Sequence, residues 1–322
     1  MSNYVVSVSP HIRDNSSTRR IMADVLIALI PAFIASIYIF GPRAALVTCV
    51  CVASCVIFEW GYVKIIRKNS IKAVSDLSAC ITGVLLAFNL PVTIPLWQAV
   101  FGCFVAIVLV KQLFGGLGKN FVNPAITARV VMFIAFAVPM THWVSPEAGV
   151  GAVTWLSPTS VDAITAATPL PLIWRGETDL LPSLWHMFVG VRGGCLGETS
   201  NLALLIGGIY LLIRRVITWH VPVTYIVLVF LFTAALGYDP VYQILAGGLF
   251  IGAIFMATDY VTIPLTNRGR LVFGVGCAFF TVVFRVFSSY PEGVSFAILL
   301  MNILAHYINL AMETKPLGGI KK

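Results

Sequence analysis

The sequence predicts an all-α polytopic membrane protein of ten transmembrane helices arranged as two inverted repeats of five. Three observations carry that expectation. Of the 322 residues, 59% are hydrophobic and 11% charged, and the mean hydropathy is +0.94. A soluble domain carries about 25% charged residues, so this chain has too few to cover a water-facing surface. Apolar runs of roughly 20 residues recur along the whole length, long enough to cross a hydrocarbon core about 30 Å thick as helices that satisfy their own backbone hydrogen bonds. Finally, the segment Val-Thr-Ile-Pro-Leu occurs twice, at Val92–Leu96 and Val261–Leu265.

Residues 1–20 are polar and basic and read as a cytoplasmic N-terminal segment; no cleavable leader is expected from them. The spans of the first repeat (21–140) fall at 21–40, 44–63, 77–93, 96–113 and 124–140. Those of the second (184–313) fall at 184–213, 221–236, 242–258, 271–287 and 294–312, followed by a cytoplasmic tail, 314–322. The stretch 184–213 is too long for one simple span and contains Gly190, Gly193, Gly194 and Gly197. It reads as one crossing with an unwound middle, which membranes tolerate where protein buries it or it lines a cavity.

Basic residues set the orientation. With the N-terminus inside, 16 of the 21 Lys and Arg residues are cytoplasmic; Arg43, Arg175 and Arg285 fall outside, and Arg129 and Arg192 lie within spans. Counting 184–213 as two crossings would move Arg214, Arg215, Arg268, Arg270 and the tail outside, so the positive-inside bias selects ten crossings with both termini cytoplasmic. Each Val-Thr-Ile-Pro-Leu copy then follows the third crossing of its half, on opposite sides of the membrane, as an inverted repeat requires. Its proline stops the preceding helix near a central site. The net charge of +8 follows from the same scatter of basic residues at span ends, and nucleic-acid binding is not expected.

The seven cysteines lie mostly in apolar segments. Cys49, Cys51 and Cys55 match no zinc or iron–sulfur spacing, so packing is the expectation and no metal site is predicted.

The extracytoplasmic loop 141–183 is acidic and proline-rich, with Glu147, Asp162, Glu177 and Asp179 against Arg175, and Pro146, Pro158, Pro169 and Pro171. Loops this long are usually functional or disordered. At its centre stands Asp162-Ala-Ile-Thr165-Ala166-Ala167-Thr168-Pro169. Its hydroxyls have no activating base nearby, the closest histidines in sequence being His142 and His186. The segment is sterically open. It reads either as a peptide that an external enzyme grips and modifies on a hydroxyl, or as an ordinary polar loop.

Other polar residues carry two readings each. Gly115, Gly116, Gly118, Lys119 and Asn120 form a turn before Asn123-Pro124 that lacks the Ser or Thr of a Walker loop; it is a structural turn or a contact for a ligand or a neighbouring subunit. Asp24, Glu59 and Asp76 near cytoplasmic span ends either pair with basic neighbours or pass ions. Asp259 and Arg270 form an interfacial ion pair or take a functional role. Arg129 pairs with a carboxylate or with carbonyls. Trp143, Trp155, Trp174 and Trp185 read as an interfacial belt.

The spacing Asp162…Thr165-Ala166-Ala167-Thr168 resembles the acceptor motif of flavin transferases, with alanine at 166 in place of the common glycine. Residues 9–32, "FGGLGKNFVNPA" (114–125), "GGCLGETSNLALLIGG" (193–208) and "FMATDYVTIPLTNRGRLVFG" (255–274) resemble the D-subunit family of Rnf ion-translocating ferredoxin:NAD oxidoreductase complexes, related to the B subunit of the Na⁺-translocating NADH:quinone reductase. The resemblance covers essentially the whole chain. It implies a urea-transporter-like inverted repeat and FMN held as a phosphoester on Thr168, with Asp162, Thr165 and Ala167 read by the modifying flavin transferase. It further implies a second, noncovalent flavin (riboflavin), and partner Rnf subunits that handle ferredoxin and NAD. Lys119, Asn120 and Asn123 are candidate flavin contacts, and Asp24, Asp76 and Asp259 candidate ion-path residues. A phosphoester keeps the flavin from being lost between turnovers outside the cytoplasm. Ion coupling then needs a bistable element, since moving a unit charge costs about 2.3 kcal/mol per 100 mV; the glycine-broken helix at Gly193 and Gly194 is the candidate. The rival reading is a small-solute channel or secondary transporter of the same fold without redox role, which leaves the Asp162–Thr168 spacing unexplained.

Overall fold

A computed structural model describes residues 17–67, 75–144, 170, 173, 181–288 and 293–312. Helix is the regular structure throughout these residues. α1 (Thr18–Phe40) begins on Ser17, whose hydroxyl accepts the Arg20 N–H. Gly41, at φ 78°, closes α1 and starts α2 (Pro42–Ile65) with proline at its first turn. α3 (Ser78–Phe88) is short. α4 (Leu96–Phe104) runs on as a π-helical stretch, Val105–Gln112. α5 (Pro124–Ala135) is capped by Asn123, which accepts from the N–H groups of Ala125 and Ile126, and it breaks at Phe136 before α6 (Ala137–Met140).

The second half opens with α7 (Leu184–Val189), then a non-helical segment, 190–200, then α8 (Asn201–Ile213). α9 (His220–Ala235) and α10 (Pro240–Leu245) follow. α11 (Leu249–Ile251) continues as a second π-helical stretch, Gly252–Met256. α12 (Asn267–Phe287) and α13 (Gly293–Ala311) complete the described helices.

α1, α2, α12 and α13 are long and apolar enough to cross a membrane; five shorter apolar stretches are Ser78–Phe88, Leu96–Gln112, Pro124–Ala135, Asn201–Ile213 and His220–Ala235. The long helices expose Ile27, Ile34, Ile57, Phe279 and Leu310 while burying their opposite faces. Apolar groups outward and inward alike are what lipid solvation demands, and the architecture is that of an all-α, multi-pass membrane protein.

Several spans expected to be continuous are broken. The third ends at Phe88, because Pro91 and Pro95 follow and cannot extend it. The fifth is interrupted at Phe136 and the eighth at Ala246–Gly248, where Gly247 has φ 64°. The sixth unwinds over 190–200, as its glycines suggest.

Val92–Pro95 of the first Val-Thr-Ile-Pro-Leu copy and all of the second, Val261–Leu265, are non-helical, and carbonyls in each turn are met by an arginine near the start of a helix. Arg43 of α2 donates to Val92 O (2.9 Å) and Ile94 O (3.1 Å). Arg270 of α12 donates to Pro264 O (3.1 Å) and Thr218 Oγ1 (3.2 Å). Buried carbonyls left without a helix partner need such donors. The 190–200 segment docks on the end of α3: Leu196 N–H donates to Leu90 O (3.0 Å) and Gly197 N–H to Phe88 O (2.9 Å). Gly197 is required there, since a Cβ would overlap the Phe88 side chain. α1 and α8 meet the same way at Gly207, against the Ala28 carbonyl.

Candidate functional site

A cavity of about 100 Å³ lies where α1 begins and the 113–123 turn, the start of α5 and the 257–261 turn converge. Its walls are mostly apolar, with Ile21, Leu85 and Phe255 among them, and its polar groups include Asn120, Asn123, Asp259 and Lys111. Asn120 donates to Val122 O (3.1 Å); Asn123 caps α5 and donates to Met256 O (3.3 Å), fixing the turn against the second π-helical stretch. Asp259 accepts from Val261 N (3.4 Å) and Thr262 Oγ1 (3.5 Å). Enclosure raises the Asp259 carboxyl above the usual carboxylate range, against these two bonds, which favour its ionised form.

Behind one wall runs a buried polar chain. Lys111 Nζ lies 2.7 Å from Glu59 Oε1 and donates to Ser78 Oγ (2.6 Å). Ser78 Oγ in turn donates to Asp76 Oδ1 (2.6 Å), and Gln112 Nε2 donates to Glu59 Oε1 (2.6 Å). The chain links α2, α3 and the π-helical end of α4.

A second charged centre lies deeper. Arg129 of α5 donates to Asn89 Oδ1 (2.6 Å) and Ser295 Oγ (3.1 Å), and its other nitrogen approaches Cys195 Sγ (3.6 Å) and Glu198 Oε2 (3.8 Å). Both charged side chains are almost wholly buried. The end of α3, α5, the unwound 190–200 segment and α13 thus meet on one arginine.

Residues 5–318 match the NQR2, RnfD, RnfE family. The chain is 43% identical over 321 residues to the D subunit of the Na⁺-translocating ferredoxin:NAD⁺ oxidoreductase complex of Acetobacterium woodii, covering 99% of this chain and 96% of that protein. It is 38% identical over 330 residues to the D subunit of the proton-translocating ferredoxin:NAD⁺ oxidoreductase complex of Clostridium ljungdahlii, covering 98% and 96%. It is 35% identical over 335 residues to the D subunit of the ion-translocating oxidoreductase complex of Ectopseudomonas mendocina, covering 97% and 95%. The chain belongs to the NQR2, RnfD, RnfE family.

In this family member the structure brings together Asn120, Asn123 and Asp259 on one cavity. Lys119 is exposed, its stem lying over Gly115. Asp24 accepts from Tyr210 Oη (2.9 Å) and Arg214 NH2 (3.1 Å), tying α1 to α8. Asp76 accepts from the Ser78 N–H (3.0 Å) as well as its hydroxyl, in the turn just before α3. Thr168, Asp162, Thr165 and Ala167 lie outside the described residues. So do Trp155 and Trp174.

Some expectations change. Arg270 is spent on Pro264 O and Thr218 rather than on Asp259. Trp143 is buried (8%) while Trp185 is exposed (67%), so only the second suits an interfacial belt. Glu59 takes the first of its two readings, pairing with a basic residue: it is 2% exposed and meets Lys111. Cys51 and Cys55 are buried on one face of α2, with Cys49 exposed, and no disulfide joins cysteines among the described residues. Glu198, Lys111 and Gln112 carry no local signal as site residues. Only the rule that an intramembrane charge needs a partner points to them.

Proposed function

We propose that this chain is an electron-carrying integral subunit of a redox-driven ion pump that couples ferredoxin:NAD⁺ oxidoreduction to movement of Na⁺ or H⁺. The observation that carries the reading is near-full-length similarity, at 43% identity, to the D subunit of a complex of that activity, in a chain that also holds the Asp162–Thr168 acceptor spacing. In this reading FMN is joined through its phosphate to Thr168, on the extracytoplasmic side, by a flavin transferase. Asp162, Thr165 and Ala167 are the residues that enzyme reads. NAD and ferredoxin are handled by other Rnf subunits.

The topology that goes with this reading is ten crossings of the cell membrane in two inverted, urea-transporter-like repeats, 21–140 and 184–313. Both termini are cytoplasmic, and the loop 141–183 lies outside. The two arginine-held Val-Thr-Ile-Pro-Leu turns support the repeat, because each interrupts its half at the same place.

A second, noncovalent flavin belongs to the same reading, with Lys119, Asn120 and Asn123 as its candidate contacts. The cavity at Asn120, Asn123 and Asp259, about 100 Å³ and mostly apolar, is below the roughly 300 Å³ of a small-ligand pocket, so it meets an edge of such a ring at most, with the amides and the carboxyl as its polar groups. Bound flavin would supply electron transfer one electron at a time; the chain supplies position, enclosure and electrostatics. Asp24 and Asp76 remain ion-path candidates beside Asp259.

The test is a denaturing gel viewed under ultraviolet light after co-expression with a flavin transferase. The band is expected to fluoresce, and Thr168→Ala to be dark. A dark wild-type band would favour the rival small-solute transporter.

A further inference from the structure

The Glu198 carboxylate is held in an unusual way. It stands in the non-helical 190–200 segment, 3% exposed, and its Oε1 accepts the Cys195 N–H (3.2 Å). Its Oε2 has no hydrogen-bond partner among the described residues. The nearest cation, Arg129 NH2, is 3.8 Å away, whereas a closed arginine–carboxylate pair sits at about 2.7–2.9 Å. Arg129 is committed at the same time to Asn89 and Ser295.

Two glycines keep the space around this carboxylate open. A Cβ at Gly194 would lie 2.9 Å from Oε1, and a Cβ at Gly248 would lie 3.1 Å from Oε2. Thr199 and Asn201, next in the chain and 1% and 0% exposed, also carry side-chain oxygens without a hydrogen-bond partner among the described residues. A buried carboxyl oxygen without a hydrogen-bond partner, next to two positions that carry no side chain, calls for an occupant.

The geometry points to Glu198 as a seat for the translocated monovalent cation, taken up on Oε2 in the gap beside Gly248. This rests on the ion-pump reading above. A carboxylate oxygen takes H⁺ by forming an O–H bond, or Na⁺ as a hard oxygen ligand, so one seat serves either ion. Relatives in the family carry both designations, Na⁺-translocating and proton-translocating. While the cation is bound, the carboxylate charge is neutralised and Arg129 keeps its bonds to Asn89 and Ser295. When Arg129 closes on Oε2 the cation is expelled. Arg129 is thus the competitor, and the unwound segment carrying Glu198 is the part that moves against α3, α5 and α13.

The test uses the whole complex in liposomes, driven by reduced ferredoxin and NAD⁺, with radiolabelled Na⁺ uptake and internal pH read against electrons transferred. Glu198→Gln keeps the Oε1-like acceptor for Cys195 but removes the charge. Gly248→Ala keeps the charge and fills the gap, and its backbone, at φ −81°, accepts alanine. Both variants are expected to retain Thr168 fluorescence and electron transfer while ion movement per electron falls to the ionophore control. Na⁺ uptake that survives a protonophore identifies Na⁺ as the occupant; uptake that collapses identifies H⁺. Wild-type stoichiometry in Gly248→Ala overturns the seat, even if Glu198→Gln fails to assemble. A wild-type complex that passes electrons yet moves neither ion would instead remove the pump reading.

Discussion

Lys111 Nζ lies 2.7 Å from Glu59 Oε1, with both side chains 3% exposed. The pair joins the π-helical end of α4 to α2, and Gln112, the next residue, donates to the same carboxylate oxygen. Two consecutive side chains of one helix do not ordinarily reach one atom. The wider π-helical turn lets Lys111 and Gln112 both do so, which gives the local distortion a structural purpose.

Removing one partner should therefore be costly. Glu59→Ala leaves the Lys111 ammonium buried with only Ser78 to meet it. Breaking a buried pair costs about 3–5 kcal/mol, so the purified protein should melt well below wild type. Glu59→Gln, still able to accept one bond, should lose less, and Glu59→Leu with Lys111→Met should regain most of the loss. Thermal melting in detergent checks the order; a double variant no better than Glu59→Ala would mean that the pair does not act as a unit.

Glycines offer a sharper contrast. Gly61 lies inside α2 with nothing within 4 Å of where a Cβ would sit, whereas Gly197 faces Phe88 and Gly118 has φ 84°. Gly61→Ala should stabilise by up to about 1 kcal/mol through helix propensity. Gly118→Ala should cost about 1–2 kcal/mol in left-handed strain. Gly197→Ala should cost more than either, since Phe88 must move and the bond from Gly197 N–H to Phe88 O is lost. Three melting curves settle the ranking.

What the sequence shows depends on how far apart the deciding residues lie. The break at Pro91–Pro95 and the unwinding at Gly190–Gly197 are legible because one residue type sets the local backbone. Arg129 is legible as a residue needing a partner, but Glu198 as that partner is not: their meeting depends on how the 190–200 segment docks on Phe88 and Leu90. Asp76 shows the reverse failure. Its two bonds to Ser78 are a local turn readable from the Asp-Leu-Ser order, yet its place near a span end suggests an ion path first. Asn120 and Asn123 are legible as candidates, while Asp259, from the other half of the chain, joins them only through the fold.

The two arginine-held turns make one more prediction. Arg43 is 2% exposed and donates through Nε and NH2 to two carbonyls of the first Val-Thr-Ile-Pro-Leu copy. Lysine offers a single ammonium in place of this planar fork, so Arg43→Lys should satisfy only one carbonyl and destabilise by about 1–3 kcal/mol. Arg270 is half-buried and meets only one carbonyl of the second copy, with Thr218 as its other partner. Arg270→Lys should accordingly cost less. Hydrogen exchange of the amides at 92–96 and 261–265 reads each turn separately. Arg43→Lys should speed exchange in the first turn alone, and equal loosening of both turns would mean that the arginines act through global stability rather than on the turns they hold.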